Sequence, residues 1–431
     1  MTAGVAAPAG AGARVELRIG EIAYRGLGVA RSGGVVHFVP GTCPGELVEA
    51  VVTSERKNYR TARAEKILEA SPDRLAEPDC RVPDTASPGR EVRVPGCVYD
   101  HMSHAAEIRA KTAQLRGFLV RQAALPGGEV DAALREPSVS PSALAYRNKA
   151  ELHVGADSAG RRAFGYFGDD NETVVDMPRC PLSVPEISAA IAETREDPAF
   201  ARWAPAGSRA VFRWTRRDGA ALFVDRPGRP DDDGGGLELA EDTPVLGSLR
   251  VPARGFWQVN GRVGAALVSA VAEELRADAP DALVDLYCGV GVFGLSAAAL
   301  GVRRILGVES GRDAVRAARA NARDHGLDGR ASFACADAGR GAAKFVSAFP
   351  GPGTDVVADP PRAGLAPDAV RALLAAPPRR LFCVSCAPDT LARDLRALCG
   401  TGVFRLESAR LFDMFPRTAH FETLCVLRRA R

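Results

Sequence analysis

From about residue 250 onward, short apolar segments alternate with segments whose apolar residues recur at helical spacing. This alternation is typical of an open α/β sheet with parallel strands. The apolar segments predict strands at 282–287, 304–308, 355–359, 380–386, 403–412 and 423–428, with one more strand ending at 335–337. Such sheets bind ligands at the carboxyl ends of their strands, so the residues that follow these strands are candidates for a site.

The first part of the chain has another pattern. Residues 14–70 carry short alternating segments separated by Gly and Pro. Five short strands in so few residues predict a small closed β-barrel. The stretch 56–66 combines Tyr59 with five Lys and Arg residues. Such a stretch can bind a phosphate backbone and stack a base on the tyrosine. The alternative is a solvated loop without a partner.

Residues 71–248 predict a central α+β region. Helical spacing covers 104–121, strand patterns return at 144–180, and 226–236 has the Gly, Pro and Asp content of a flexible loop. The predicted organisation is a disordered tail (1–13), the barrel (14–70), this central region (71–248) and the α/β domain (249–431).

Composition narrows the class of protein. The chain has 431 residues, of which 46% are hydrophobic and 25% charged, as in typical globular proteins. A net charge of +3 does not by itself announce a nucleic-acid partner. No apolar run approaches the roughly 20 residues that span a bilayer, and the first residues lack the features of a signal peptide. Ten scattered Cys residues favour a reducing cytoplasm, where thiols serve catalysis, metals or the core.

A glycine-rich turn follows the first strand of the α/β domain. Gly289, Gly291 and Gly294 permit close approach of a ligand to the next helix, and Glu309 ends the following strand, where a carboxylate suits a ribose diol. These features favour an adenosine-type ligand. The spacing also meets the Gly-x-Gly-x-x-Gly pattern of NAD enzymes, which stay a rival at this point.

Two later strand ends argue against NAD. Asp337 ends the third strand in a position suited to an adenine amino group. Asp359-Pro360-Pro361-Arg362 ends the fourth strand with a turn typical of S-adenosylmethionine-dependent methyltransferases that act on nucleic-acid bases. Enzymes that methylate exocyclic amines usually carry an aromatic residue where this chain has Arg362, so that chemistry is disfavoured.

The fifth strand delivers Cys386 to the same edge, whereas Cys383 lies within the strand and is expected to be a core residue. A pyrimidine C5 is a poor nucleophile. A thiolate that adds to C6 makes C5 nucleophilic, and a base must later remove the C5 proton. Glu422, between the last two strands, is the candidate base. His420 is an alternative, although a structural histidine is the preferred interpretation.

Together these motifs resemble one family, the RNA uracil-C5 methyltransferases of the TrmA and RumA kind, which make 5-methyluridine in tRNA and rRNA. The resemblance covers residues 14–431. It rests on the following segments: Phe256-Trp257-Gln258-Val259-Asn260, the turn 285–291, Asp359-Pro360-Pro361-Arg362, 384–388 with 390–394, and Asp413-Met414-Phe415-Pro416.

The resemblance implies a Rossmann-like class I methyltransferase domain preceded by a TRAM-type, OB-like barrel that binds RNA. It implies Cys386 as the nucleophile and Glu422 as the base. It assigns S-adenosylmethionine contacts to a set of residues that match the family: Gln258, Tyr287, Glu309, Asp337 and Asp359, beside Gly289 of the turn. Two positions depart from the family pattern, Val292 in the glycine turn and Ala387 after the nucleophile.

Some members of this family hold an iron–sulfur cluster on four Cys residues. Cys80, Cys97 and Cys180 match three of those ligands, and Val94 stands in the place of another. The alternatives are a cluster completed by water, Asp or His, with His101 and His104 nearby, or ligand positions without a metal.

The sequence thus predicts a cytoplasmic, monomeric RNA uracil-C5 methyltransferase without a membrane segment. Two alternatives remain, a cytosine-C5 methyltransferase and a non-catalytic RNA-binding protein on the same fold. Nothing in the motifs identifies the target RNA or uridine.

Overall fold

A computed structural model describes residues 11–85, 87, 89–228 and 236–430. The first ten residues of the predicted tail and most of the predicted loop at 226–236 lie outside this range.

The N-terminal part is one six-stranded sheet. Its strands are β1 (Arg14–Arg18), β2 (Glu21–Ala23), β3 (Leu27–Ser32), β4 (Val35–Pro40), β5 (Leu47–Glu55) and β6 (Tyr59–Glu69). The strand order is β1-β5-β6-β4-β3-β2. Alternate residues such as Leu17, Val39 and Val48 point into a small apolar core. The chain therefore forms six strands rather than five, and the two edge strands do not pair, so the sheet is a half-barrel rather than a closed barrel.

The central part begins with a hairpin and three helical segments: β7 (Arg81–Pro83), β8 (Glu91–Arg93), α1 (His104–Gly117), a π-helical turn (Phe118–Gln122) and α2 (Gly127–Ala133). Ser103 caps α1 by accepting a hydrogen bond from the Ala106 N–H. Leu115, Phe118 and Val130 are buried in the core of the C-terminal domain rather than in the central sheet. The predicted domain boundaries remain a prediction.

The central sheet and the hairpin after it are antiparallel. The elements of this region, in chain order, are β9 (Lys149–Ala156), β10 (Arg162–Phe167), β11 (Val174–Asp176), the helices α3 (Pro185–Glu196) and α4 (Pro198–Trp203), β12 (Arg209–Thr215), β13 (Gly219–Asp225), β14 (Glu238–Thr243) and β15 (Gly247–Pro252). The sheet has the order β11-β10-β9-β12-β13, and β14 pairs only with β15.

The C-terminal domain alternates helices and strands as predicted. Its elements are α5 (Gly261–Ala277), β16 (Ala282–Leu286), α6 (Val292–Ala299), β17 (Arg304–Glu309), α7 (Arg312–Asp324), β18 (Ala331–Cys335), α8 (Ala342–Val346), β19 (Thr354–Ala358), α9 (Pro367–Ala375), β20 (Arg380–Ser385), α10 (Pro388–Cys399), β21 (Phe404–Phe412) and β22 (Glu422–Arg429). The seven strands have the order β18-β17-β16-β19-β20-β22-β21, with β22 antiparallel to both neighbours.

Burial explains why the central strands of this sheet are mostly apolar. Every residue of β16, β19 and β20 is buried, because apolar cores lie on both faces of the sheet. The chain order reverses between β16 and β19. Such a switch point opens a crevice at the carboxyl ends of the strands, and the predicted site residues follow those strands.

Candidate active site

The glycine turn after β16 has the backbone geometry that a close ligand requires. Gly289 and Gly291 have positive φ values of 54° and 86°, which glycine adopts without steric cost. A Cβ on Gly291 would stand 2.8 Å from the Phe333 ring, whereas a Cβ on Gly289 would meet nothing within 4 Å. The backbone beside Gly289 is thus open to an incoming molecule.

Two acidic side chains accept hydrogen bonds from the backbone of this turn and of the helix that follows it. Asp285 Oδ2 accepts a hydrogen bond from the Gly294 N–H at 2.9 Å, and Glu309 Oε2 accepts one from the Gly289 N–H at 3.2 Å. Glu309 Oε1 accepts a further bond from the Gly311 N–H at 2.7 Å. The Ser310 hydroxyl donates a third bond to Oε1 at 3.1 Å. A carboxylate has about four acceptor positions, so Glu309 retains capacity for one ribose hydroxyl.

A cavity over the turn brings together four of the predicted cofactor residues, namely Gln258, Tyr287, Gly289 and Asp359. Phe256 and Trp257 line the same cavity, and so does the turn between β14 and β15. Asp337 is not part of this lining. Its carboxylate caps the following turn by accepting a hydrogen bond from the Gly339 N–H at 2.8 Å. Burial raises the pKa of Tyr287, and the negative charge of Asp337 adds to this effect.

Cys386 follows β20 at the same edge of the sheet and is half-buried. Burial raises the pKa of its thiol to about 11, and the charge of Glu422 raises it as well. Arg362 acts in the opposite direction, through its charge and through a hydrogen bond to the thiol. Cys383, in the interior of β20, is a buried core residue as predicted.

Glu422 begins β22 and is only 4% exposed. Burial raises its pKa well above the ordinary value, and Asp359 adds to the effect. Its Oε1 atom has no hydrogen-bond partner among the residues that the structure describes. A buried carboxyl group with a raised pKa holds a proton more readily than an exposed one, which suits it to proton transfer.

His420 lies beside this pair, with its Nδ1 3.5 Å from the Tyr24 hydroxyl. Burial, together with nearby cations, lowers the pKa of His420 to about 4. The ring is therefore neutral at physiological pH. Tyr24 comes from the turn between β2 and β3 and packs edge-to-face on Phe118 and Phe421. Sequence reasoning missed Tyr24, because nothing local indicates a contact so distant along the chain.

The possible iron ligands do not form a metal site. Cys80 and Cys97 are joined as a disulfide, and the Cys180 Sγ lies 3.4 Å from the Tyr166 hydroxyl. Val94 is buried in the same apolar cluster. No group of three or more His, Cys, Asp or Glu residues in the described ranges is arranged to hold a metal.

The two nearby histidines are committed elsewhere, since His101 contacts the Thr42 carbonyl and His104 contacts Asp413. The prediction of an iron–sulfur cluster is therefore not supported, because two of its three thiols bond to each other and an apolar side chain fills the remaining position. The disulfide also differs from the expectation that the Cys residues serve catalysis, metals or the core. None of the helices in the described ranges has the length and apolar character that a membrane span requires.

Comparisons with known proteins relate this chain to RNA methyltransferases. A model of the tRNA (uracil-5-)-methyltransferase family matches residues 353–430, which include Asp359, Cys386 and Glu422. An uncharacterised RNA methyltransferase of Streptomyces coelicolor is 34% identical, over 96% of this chain and 93% of its own length. The 23S rRNA (uracil(1939)-C(5))-methyltransferase RlmD of Pseudomonas aeruginosa is 32% identical, over 96% and 94%.

The fold has a solved counterpart. The tRNA (uracil-54, C5)-methyltransferase of Pyrococcus abyssi, solved with S-adenosyl-L-homocysteine, superimposes with a TM-score of 0.67. It is 22% identical and covers 96% of this chain and all of its own length. Taken with the full-length relatives, these matches show that the chain belongs to the S-adenosylmethionine-dependent RNA uracil-C5 methyltransferases.

Proposed function

We propose that this enzyme methylates C5 of a uridine in rRNA or tRNA through a covalent bond between Cys386 and C6 of the base. The observation that carries the proposal is the juxtaposition of a half-buried thiol, a cation that stabilises its thiolate and a buried carboxyl group at one edge of the sheet. Addition, methyl transfer and proton removal need these three kinds of group.

The cofactor site fits S-adenosylmethionine. Gly289 leaves the backbone open, Glu309 offers an acceptor for the ribose, and Gln258, Tyr287 and Asp359 line the cavity above the turn. When bound, S-adenosylmethionine supplies the methyl group that C5 takes. The protein holds the cofactor and the flipped base together at the switch point of the sheet.

The order of events follows from the groups. The Cys386 thiol loses its proton to solvent, and its thiolate forms the S–C6 bond while the electron pair of the C5=C6 bond moves toward the C4 carbonyl oxygen. Arg362 stabilises the thiolate before addition. Glu422, whose pKa is raised by burial, first releases its own proton to solvent. After C5 is methylated, the resulting carboxylate accepts the C5 proton, the C5=C6 bond re-forms and the thiolate leaves. Glu422 then releases the proton to solvent.

The test first maps the methylated uridine in RNA and then traps the covalent protein–RNA intermediate. Total RNA from a strain that lacks the gene is mapped for 5-methyluridine, which identifies the target. RNA carrying 5-fluorouridine at that position then forms a stable adduct with the wild-type enzyme, because fluorine cannot leave as a proton does. Cys386→Ala is expected to lose both methylation and the adduct. An adduct that survives in this variant contradicts the proposal.

A further inference from the structure

A second cleft, of about 600 Å³, opens where the N-terminal sheet, the central sheet and the C-terminal domain meet. Arg25 contributes from the turn after β2, Arg147 from the segment before β9, and Phe167 from the end of β10. His420 lines the cleft and is two residues from Glu422 along the chain. The cleft therefore adjoins the strand end that carries the candidate base.

One wall of the cleft presents an aromatic surface. The Phe167 ring lies 4.3 Å from the His153 ring, centroid to centroid, with the two planes tilted by 33°. Phe167 is 39% exposed, so part of its ring is open to solvent. Burial, and then the charge of Arg209, hold the pKa of His153 below its usual value. The pair is a neutral stacked platform whose outer part faces solvent.

The cleft is also electropositive. Arg147 is half-buried and donates from Nε to the Tyr146 hydroxyl at 3.2 Å. Within the part of the chain that the structure describes, neither Arg147 nor Arg25 forms an ion pair with a carboxylate. Four cations lower the pKa of His420, namely Arg362, Lys111, Arg147 and Arg25. Asp169, two residues after Phe167 along the chain, is the acidic residue in the lining of the cleft, so phosphate is favoured on the arginine side.

We infer that this cleft binds one unstacked nucleotide next to the target uridine, with its base on Phe167 and its phosphate on Arg147 and Arg25. Every base has a π-face, so aromatic stacking holds a nucleotide without reading its identity. The bases of a continuous duplex are already stacked on each other. The substrate is accordingly a loop or another single-stranded segment of RNA. This inference rests on the proposed function, because it places RNA in the site.

The test uses a short synthetic single-stranded RNA that carries the mapped uridine at its centre, with 2-aminopurine at each flanking position in turn. Phe167→Leu keeps the apolar volume and removes the aromatic face. Its expected effect is an increase of about 5- to 150-fold in the Kd for this RNA, the range that base–aromatic stacking produces. The Kd for S-adenosylmethionine is expected to stay unchanged.

Two controls separate stacking from folding. Phe167→Tyr keeps a ring and is expected to bind as the wild type does. Leu222→Ala removes a similarly exposed side chain, 37% accessible, from β13 of the same sheet and outside the cleft. In the wild type, the fluorescence of 2-aminopurine at one flanking position is expected to be quenched on binding, and Phe167→Leu is expected to relieve the quenching.

The outcomes distinguish the two proposals. If wild-type enzyme methylates the RNA and Phe167→Leu binds it with unchanged Kd and quenching, the cleft proposal is overturned and the proposed function stands. If Phe167→Leu weakens binding but the wild type makes no 5-methyluridine, the cleft stands and the proposed function fails.

Discussion

Glu422 lies beside Cys386 across the sheet, because Ser385 of β20 pairs with Thr423 of β22 in antiparallel register and each candidate is the next residue beyond that pair. The charge of Glu422 raises the pKa of the Cys386 thiol, as burial does, whereas Arg362 lowers it. With a pKa of about 11 the thiolate is a minor form at neutral pH. Arg362 is the group that increases its population.

We predict that Arg362→Met slows the alkylation of Cys386 by iodoacetamide at pH 8, since removal of the guanidinium raises the pKa of the thiol further. Arg362→Lys retains the charge and is expected to fall between Arg362→Met and the wild type. In each protein the rate is expected to rise about tenfold per pH unit below the pKa. Peptide mass spectrometry measures the rate, with the exposed Cys335 as the internal reference. Equal rates in Arg362→Met and wild type would contradict the role of Arg362.

We predict that Glu422→Gln traps the enzyme on ordinary RNA. The amide cannot accept the C5 proton, so addition and methylation proceed and the final elimination does not. Turnover is expected to fall by about 10²- to 10⁴-fold, and a protein–RNA adduct is expected on a denaturing gel. Glu422→Asp, which keeps a carboxylate, serves as the control and recovers part of the turnover. Full activity in Glu422→Gln, or a loss of activity without any adduct, would assign the base to another group.

The neighbourhood of Cys386 and Glu422 was predictable because each residue adjoins a strand end, and strand ends of one sheet meet at one edge. The contact between Tyr24 and His420 was not, since the two residues are 396 positions apart and no periodicity reports packing between separate sheets. The sequence also places α1 correctly from its helical spacing. It does not tell that Leu115 packs into the C-terminal core, because an apolar face fits any core.

The burial of some charged residues also could not be predicted from the sequence. A Glu and a Lys four residues apart, such as Glu107 and Lys111, usually form an exposed pair on the surface of a helix. Both are fully buried in the structure, 2.6 Å apart, because Asp413 and Arg417 arrive from the C-terminal part of the chain to complete a network. Sequence separation of this kind carries no local signal.

We predict that Asp285→Asn stabilises the cofactor-free enzyme at pH 8 but not at pH 4. Burial raises the pKa of Asp285 to about 7, although the Gly294 N–H lowers it and the charges of Asp359 and Glu309 raise it. The folded state therefore keeps a proton that the unfolded chain loses above its ordinary pKa of 3.8. Stability falls as the pH rises from about 4 to about 7, by about 4 kcal/mol for this group.

Thermal unfolding at the two pH values measures the effect. The Asn side chain still accepts the Gly294 hydrogen bond, so the comparison isolates the charge. Asp328→Asn changes an exposed acid on the same domain and is expected to leave the pH dependence unchanged. An identical pH dependence in wild type and Asp285→Asn would show that Asp285 is not protonated in the folded enzyme.

We predict that Lys111→Met destabilises the enzyme by about 3–5 kcal/mol, the cost of leaving buried charges without their partner. Lys111 Nζ lies 2.6 Å from Glu107 and 3.3 Å from Asp413, and neither carboxylate reaches solvent. His104 also contacts Asp413 and Arg417 also contacts Glu107, and Arg417 is shared with Asp79, so Lys111→Met leaves the two acids partly compensated. Adding Glu107→Gln removes one of the two carboxylates that have lost Lys111, so the double variant is expected to regain part of the stability.

Urea unfolding compares these variants with Lys344→Met, which removes an exposed Lys and is expected to change stability by no more than about 0.5 kcal/mol. The network is also expected to affect catalysis, because Asp413 is the first residue of the segment 413–422, which contains His420 and Glu422. Turnover is therefore expected to fall in Lys111→Met even below its unfolding temperature, while the Kd for S-adenosylmethionine stays near the wild-type value. If Lys111→Met is as stable and as active as Lys344→Met, the network does not position the catalytic base.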